Sequence, residues 1–359
     1  MDKKLLLLFV LLLMISGCTK KSSNIENAEL YIDVVENIKN TIHFGIETTG
    51  EGTGFTISAS TVTITQTGSY YLSGKSNEGN IIINADGVVT LYLDNLNLSS
   101  SNGSVIDIIQ ATKTIIYLET NTENHLNTTN RKLTDAVIHS VANLVLSGNG
   151  RLYMQSIGDA AIHSEKHLSV GGGYYEINAN KHGLYVSGIN ESVIMMQSGY
   201  MLVKANSNAI YSEGSMVIKD GTLLAIGGPN SYGIFARDPF QVVGGILLAT
   251  GSNNSTPSAS STQSIIYAEM PRIITNGTQV TITNKSDDIY VSYTVMKTFS
   301  NLLYSNSKLV SNEQYFIYTD GRIFSEKTIN GIYLAGIYEP GNLVTNIKPE
   351  DTFKSSRTE

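Results

Sequence analysis

The chain has no tryptophan and one cysteine, Cys18, among its 359 residues. A single thiol can build neither an internal disulfide framework nor a thiolate metal cage. Charged residues are only 15% of the composition, with a net charge of −7 and no lysine/arginine run in the body. A nucleic-acid interface needs a basic stripe, so that class of partner is excluded. Proline is scarce, and no stretch of the body spaces its apolar residues as a helix would. Long apolar runs are confined to Leu5–Met14, which is too short to span a bilayer.

That run follows Asp2-Lys3-Lys4 and leads into Ile15-Ser16-Gly17-Cys18, so it reads as an export signal ending in small residues. The tetrapeptide resembles the bacterial lipobox, which implies cleavage before Cys18 and lipidation of that residue. The expectation is a protein tethered to the cell envelope, with no membrane contact beyond its lipid anchor.

What is abundant is Gly, Asn, Ser and Thr between short apolar runs, as turn-rich β architecture requires. From Asp135 to Thr250 the runs repeat. Asp135-Ala136-Val137-Ile138-His139-Ser140 is answered by Asp159-Ala160-Ala161-Ile162-His163-Ser164, then by Lys181-His182-Gly183-Leu184-Tyr185-Val186. Ser207–Ser212 and Ser231–Ala236 follow the same pattern. The period is about 24 residues, the length class of a solenoid whose units bury a core only against their neighbours. Each opening is followed by a second apolar run, a glycine and a third run, as in Leu168-Ser169-Val170, Gly171-Gly172-Gly173, Tyr174-Tyr175-Glu176-Ile177. Three strands per turn follow, which is a parallel β-helix. Ser104-Val105-Ile106-Asp107-Ile108 and Ser264-Ile265-Ile266-Tyr267-Ala268 match the opening outside the regular region. The surplus before Ile138 fits a loop at 121–133, and the polar tract Gly251–Gln263 fits an exposed insertion.

Strand period two sorts the faces. Ile138, Ile162, Leu184, Ile210, Ile234 and Ile266 point inward with Ser140, Ser164, Ser212 and Ala236. The other face carries small residues at Val137, Ala161, Gly183, Ala209 and Gly233, beside His139, His163, Tyr185, Tyr211, Phe235 and Tyr267. With rungs about 4.8 Å apart, these rings form an outward ladder. Sugar rings have apolar faces, so the six ring residues are candidate carbohydrate contacts. The same ladder can equally be cladding that stabilises the sheet. Tyr153, Tyr174, Tyr200, Leu202, Leu224, Ile246 and Leu248 form a second outward strip, and so much apolar surface predicts a cover over one of them.

Chemistry is thin. Asp135 and Asp159 stand one turn apart and could serve calcium, which takes oxygen ligands, although Asp and Asn at such corners also satisfy turn backbone. His139 and His163 share a face, yet a metal site needs three or four ligands. No clustered carboxylates of the kind glycan cleavage uses recur in the repeats, and Asp287-Asp288 lies outside them. The reading is therefore not an enzyme.

Gly68-Ser69-Tyr70-Tyr71-Leu72-Ser73-Gly74, Val89-Thr90-Leu91-Tyr92-Leu93-Asp94, Thr114-Ile115-Ile116-Tyr117-Leu118-Glu119 and Glu123-Asn124-His125-Leu126 occur in order. Leu144-Val145-Leu146-Ser147-Gly148-Asn149-Gly150 and His182-Gly183-Leu184 continue the series. Together they resemble a family of bacterial secreted or lipid-anchored carbohydrate-binding proteins, over roughly Thr41 to Tyr333. The resemblance implies an all-β, right-handed parallel β-helix, non-catalytic binding of polysaccharide such as cellulose or acidic sugars, and bound calcium. Members often open a strand with Asp-Gly-Ile or Asp-Ala-Ile. Here His182, Asn208 and Tyr232 stand in place of the acid, and Asp135 and Asp159 lie one position earlier.

The expected organisation is a signal peptide (1–17), a lipidated stalk (18–40), a carbohydrate-binding β-helix (41–284), a small C-terminal β cap (285–340) and a flexible tail (341–359). Two other readings stay open: a structural or adhesive surface protein with a protein partner, and a polysaccharide lyase or hydrolase.

Overall fold

A computed structural model of the chain describes residues 40–131, 135–189, 191–324 and 332–349. Among these, every regular element is a strand. The first face of each turn is very short: Ile138–Ser140, Ile162–Ser164, Leu184–Val186, Ile210–Ser212 and Ile234–Ala236 pair in parallel and in register. The second face stacks Asn143–Gly148, 168–170, 193–196, Ser215–Ile218 and Phe240–Val242. The third stacks Arg151–Ser156, 174–179, 200–205, Thr222–Ile226 and Ile246–Gly251. The result is a parallel β-helix of about seven turns.

The inward column holds from Ile138 to Ile234, but Ile266 does not join it and packs with the C-terminal sheet instead. Ile81, Ile106, Ile138, Ile162, Leu184, Ile210 and Ile234 are buried in one cluster that runs the length of the solenoid. Ser140, Ser164 and Ser212 are also fully buried. Ser140 Oγ accepts from the Ala142 amide at 3.1 Å, and Ser212 Oγ accepts from Gly214 at 3.2 Å. Serine thus satisfies backbone at the corner between first and second faces.

The small residues one step before each opening isoleucine do not face outward. Val137, Ala161 and Ala209 are fully buried in the core. A Cβ on Gly183 would stand 2.0 Å from Val203 Cγ1. These positions sit on the corner before the strand begins, where strand alternation does not apply, and they are small because core side chains fill the space.

The corner between second and third faces imposes a backbone constraint. Gly148, Gly173, Gly199, Gly221 and Gly245 all have φ between 81° and 97°, and Asn95 (52°) and Asn121 (63°) take the left-handed role in earlier turns. Glycine and asparagine are the residues that adopt this conformation most easily. Stacking adds a steric reason: a Cβ on Gly199 would meet the Gly173 carbonyl oxygen at 2.8 Å, and one on Gly221 the Gly199 oxygen at 2.7 Å. The segment expected as a loop at 121–133 begins with this corner, and Glu123–Thr128 is a third-face strand. Its core side includes Asn124, whose Oδ1 accepts from Leu96 N at 2.9 Å and whose Nδ2 donates to Arg151 O at 3.1 Å, tying three rungs together.

Both ends are closed. At the start, Phe55–Ser58 folds back antiparallel on Thr61–Ile64, and Thr49–Glu51 on Asn40–Phe44. At the far end, Ser264–Ala268 does not open another rung. Ile265–Ile274 pairs antiparallel with Phe299–Ser305, which in turn pairs antiparallel with Ile246–Gly251. Residues 251–263 lie along the open edge instead of projecting as an insertion. Ser255 N donates to Ile234 O at 2.8 Å, Asn254 Oδ1 accepts from Ile234 N at 2.9 Å, and Ser261 Oγ accepts from Val242 N at 3.1 Å. An unpaired strand edge needs partners, and Ser and Asn supply them.

The C-terminal unit is larger than a small cap over 285–340. It begins at Ile265 and includes a five-stranded antiparallel sheet built from Gln279–Thr283, Ile289–Thr294, Tyr315–Thr319, Ile332–Tyr333 and Asn342–Ile347. The tail expected from 341 therefore opens with a strand, paired with Tyr315–Thr319. The sheet covers the upper third face: Leu202, Leu224 and Leu248 are each 1% exposed, packed with Ile282, Tyr293 and Ile317. Burying a leucine is worth about 1.5–3 kcal/mol, which is why this strip and not the histidine-tyrosine ladder takes the cover.

The glycine corner yields a test. Gly103 also has positive φ, but a Cβ there meets nothing within 4 Å. Gly103→Ala should cost only the conformational strain, about 1–2 kcal/mol. Gly199→Ala adds the collision with the rung below and should cost about 3 kcal/mol or more, read from chemical denaturation.

Candidate functional site

The ladder forms on the first face from His139 to Phe235, each ring half-buried. In-register pairing places His139 over Asp107 and carries the column through His163, Tyr185, Tyr211 and Phe235. Tyr267 is not its sixth member. It sits on the antiparallel strand Ile265–Ile274, packs against the end of the solenoid core, and its hydroxyl lies 2.9 Å from Asn253 Oδ1. The phase of its strand relative to the rungs was set by pairing with Phe299–Ser305, which no local pattern reveals.

Stacking decides which ring surfaces are free. His163 and Tyr185 lie 4.5 Å apart at 12°, and Tyr211 and Phe235 4.7 Å apart at 15°. Rings stacked along the axis cover one another's faces and present edges outward, so most of the ladder is no platform for a sugar. The column breaks between Tyr185 and Tyr211, whose rings meet edge to face at 5.4 Å and 66°. His182 tilts against both, at 5.6 Å and 5.2 Å. A cleft of about 430 Å³ lies here, lined by the rings of His163, His182, Tyr185 and Tyr211 and by Asp159 and Lys181. Asp159 and Lys181 form an ion pair at 3.0 Å. Rings beside a few fixed polar groups are what a sugar-sized ligand requires.

The histidines are shifted in opposite directions. His139 Nδ1 lies 2.8 Å from Asp107 Oδ1, and Nε2 lies 3.3 Å from Glu165 Oε1. The hydrogen bond to Asp107 raises its pKa above the ordinary value, against the opposing effect of burial. His163 is pushed the other way, first by burial and then by the charge of His139, and its Nε2 lies 2.9 Å from Ser187 Oγ. Burial also lowers His182. His139, at the foot of the site, therefore keeps its proton to higher pH than His163 and His182 at the cleft.

Asp107, Glu165 and His182 were not among the ring and acid candidates. Asp107 had a readable signal, since it occupies the ring position of the opening Ser104-Val105-Ile106-Asp107-Ile108. Glu165 comes from the corner after the strand, where no pattern applies.

The calcium candidates Asp135 and Asp159 are not joined by a third acid. Asp159 is held by Lys181, and Asp135 is exposed. Among the described residues, no group of three or more His, Cys, Asp or Glu could hold a metal ion. His139 and His163, 5.3 Å apart between centroids, take Asp107, Glu165 and Ser187 as partners. Cys18, the lipidation candidate, lies outside the described residues. On the third face, His125 stacks on Tyr153 at 4.9 Å and Tyr174 on Tyr200 at 4.8 Å, with the Arg151 guanidinium 4.6 Å from the Tyr174 centroid.

A family model described as "Carbohydrate-binding domain-containing protein" matches residues 58–300, more than half of the chain. The chain belongs to this carbohydrate-binding domain family. The match runs from the first-face hairpin through the solenoid to the start of the strand that closes its last rung. No curated protein matches significantly. A solved structure described as a polysaccharide lyase-like protein from C. thermocellum, a gadolinium derivative, is similar over 61% of this chain and 94% of its own. Its identity is 20% and its TM-score 0.47, too low to speak for activity here.

The pairing of Asp107 with His139 sets a pH dependence. A histidine with a raised folded pKa contributes stability that is present below its unfolded pKa, 6.5, and is lost as pH rises through the folded value. Asp107→Asn should therefore lower the melting temperature more at pH 5.5 than at pH 8.5. Titration followed by NMR should show the His139 pKa falling and that of His163 rising, because the repulsion from His139 is removed.

Proposed function

We propose that this carbohydrate-binding domain protein is a non-catalytic, lipid-anchored component of the cell envelope that holds polysaccharide in the first-face cleft. The observation that carries the reading is the break in the ring stack. Between Tyr185 and Tyr211, ring surface stands beside an Asp159–Lys181 pair, in a cleft of about 430 Å³. Ring surface takes the apolar face of a sugar, and the charged pair takes its hydroxyls. Asp159 is the lone carboxylate lining the cleft and is already paired, whereas glycan hydrolysis uses two. The aliphatic upper part of the third-face strip, which would have suited a protein partner, is occupied by the protein's own C-terminal sheet.

Glycan-array screening of the protein should give carbohydrate binding, and Tyr185→Ala and Tyr211→Ala should each weaken it about tenfold, the order expected for losing one ring contact and its buried area. Tyr174→Ala on the third face serves as the control and should leave binding unchanged. Equal binding by all three variants would remove the cleft from consideration.

Export and anchoring rest on Leu5–Met14 and Ile15-Ser16-Gly17-Cys18. Replacing Cys18 with serine should move the expressed protein from the membrane fraction to the soluble fraction. A wild-type protein recovered without lipid at Cys18 would sink this part of the reading.

A further inference from the structure

Lys181 lines the ring cleft, and its neighbour Asn180 lines a different one, of about 370 Å³, where the third face turns into the first. Among the described residues, its walls carry Arg131, Lys204 and Lys297 and no carboxylate. Lys204 is paired with Glu176 at 2.9 Å. Among the described residues, no ion pair neutralises Arg131 or Lys297.

Lys297 is placed there deliberately by the fold. It arrives from the C-terminal unit and is fixed by donating from Nζ to Ala205 O at 2.7 Å and to Asn206 Oδ1 at 2.6 Å. An ammonium has three N–H groups, so one is left for a ligand. Lysine is seldom held half-buried beside another cation without an anion to balance it. Burial, followed by the charge of Lys204, lowers its pKa, and both costs would be relieved by an anion in the cleft.

We infer that this cleft binds a doubly charged tetrahedral oxyanion, inorganic phosphate or sulfate or a phosphate monoester, through Arg131, Lys297 and Lys204. The count of charge selects a dianion: Glu176 compensates one of the three cations, and two remain. Arginine offers a planar pair of donors and the lysines offer point charges, the usual complement of a tetrahedral oxyanion. The same group can come as a free inorganic ion or as an ester on a carbohydrate chain. The second source rests on the glycan reading above.

Calorimetry on the full chain tests this with inorganic phosphate, inorganic sulfate and acetate at one ionic strength, because exposed charges are screened by salt. Phosphate and sulfate should bind at least about tenfold more tightly than acetate, the order of one charge-assisted contact. Arg131→Gln and Lys297→Gln should each weaken phosphate by at least about tenfold. Lys297 also tethers the C-terminal unit, so Arg131→Gln, at an exposed position, decides the matter if Lys297→Gln fails to fold. Phosphate binding no tighter than acetate, or unchanged in Arg131→Gln, overturns the inference. A phosphorylated oligosaccharide that binds more tightly than phosphate, and loses the gain on dephosphorylation, assigns the ester to carbohydrate. Equal affinities assign the site to the free ion. Binding of an uncharged glycan should persist in Arg131→Gln and fall in Tyr185→Ala, so failure at either cleft is read separately.

Discussion

Everything in this molecule depends on parallel hydrogen bonding in register between one turn and the next. Register brings His139 over Asp107 and under His163, and it aligns the inward isoleucines into one continuous core. Keeping register through a corner requires every turn to bend in the same place. The left-handed residues between second and third faces do this, and where they are glycines the missing side chain leaves room for the carbonyl of the turn below. A corner built otherwise would shift the third face, and the side chains on both clefts with it.

The solenoid was legible in the sequence wherever a pattern of two or of about 24 governs a residue. Ile138, Ile162, Leu184, Ile210 and Ile234 could be placed inward, and His139 to Phe235 outward, because alternation within a strand is a local rule. Corners obey no such rule, so residue order does not show that Val137, Ala161 and Gly183 face the core or that Glu165 reaches His139. Glu123–Thr128 hides as a strand because only Leu126 is a typical core residue, while Asn124 and Thr128 are buried polar ones. The fate of Ile266 and Tyr267 depended on antiparallel pairing with a strand more than thirty residues later, a nonlocal choice.

The candidate site shows the same division. A column of rings was readable, but its value to a ligand was not, since stacking angle cannot be deduced from residue order. Two close stacks, His163 on Tyr185 and Tyr211 on Phe235, turn most of the column into internal structure. What is left for a sugar is the mismatch between them, held open by His182 from the corner. The two stacks are cladding, and the proposed sugar contact is confined to the mismatch between them.

The polar tract at 251–263 bears on size. A β-helix has no inherent length, since each turn offers the next the same edge it accepted from the last. Here serine and asparagine side chains, together with the backbone of the tract, occupy the donors and acceptors of Ile234, Ala236 and Val242. Phe55–Ser58 closes the first face at the opposite end. Among the described residues, the first face thus ends in an antiparallel strand on one side and in this polar tract on the other, so neither end offers the parallel rung that a further turn would continue.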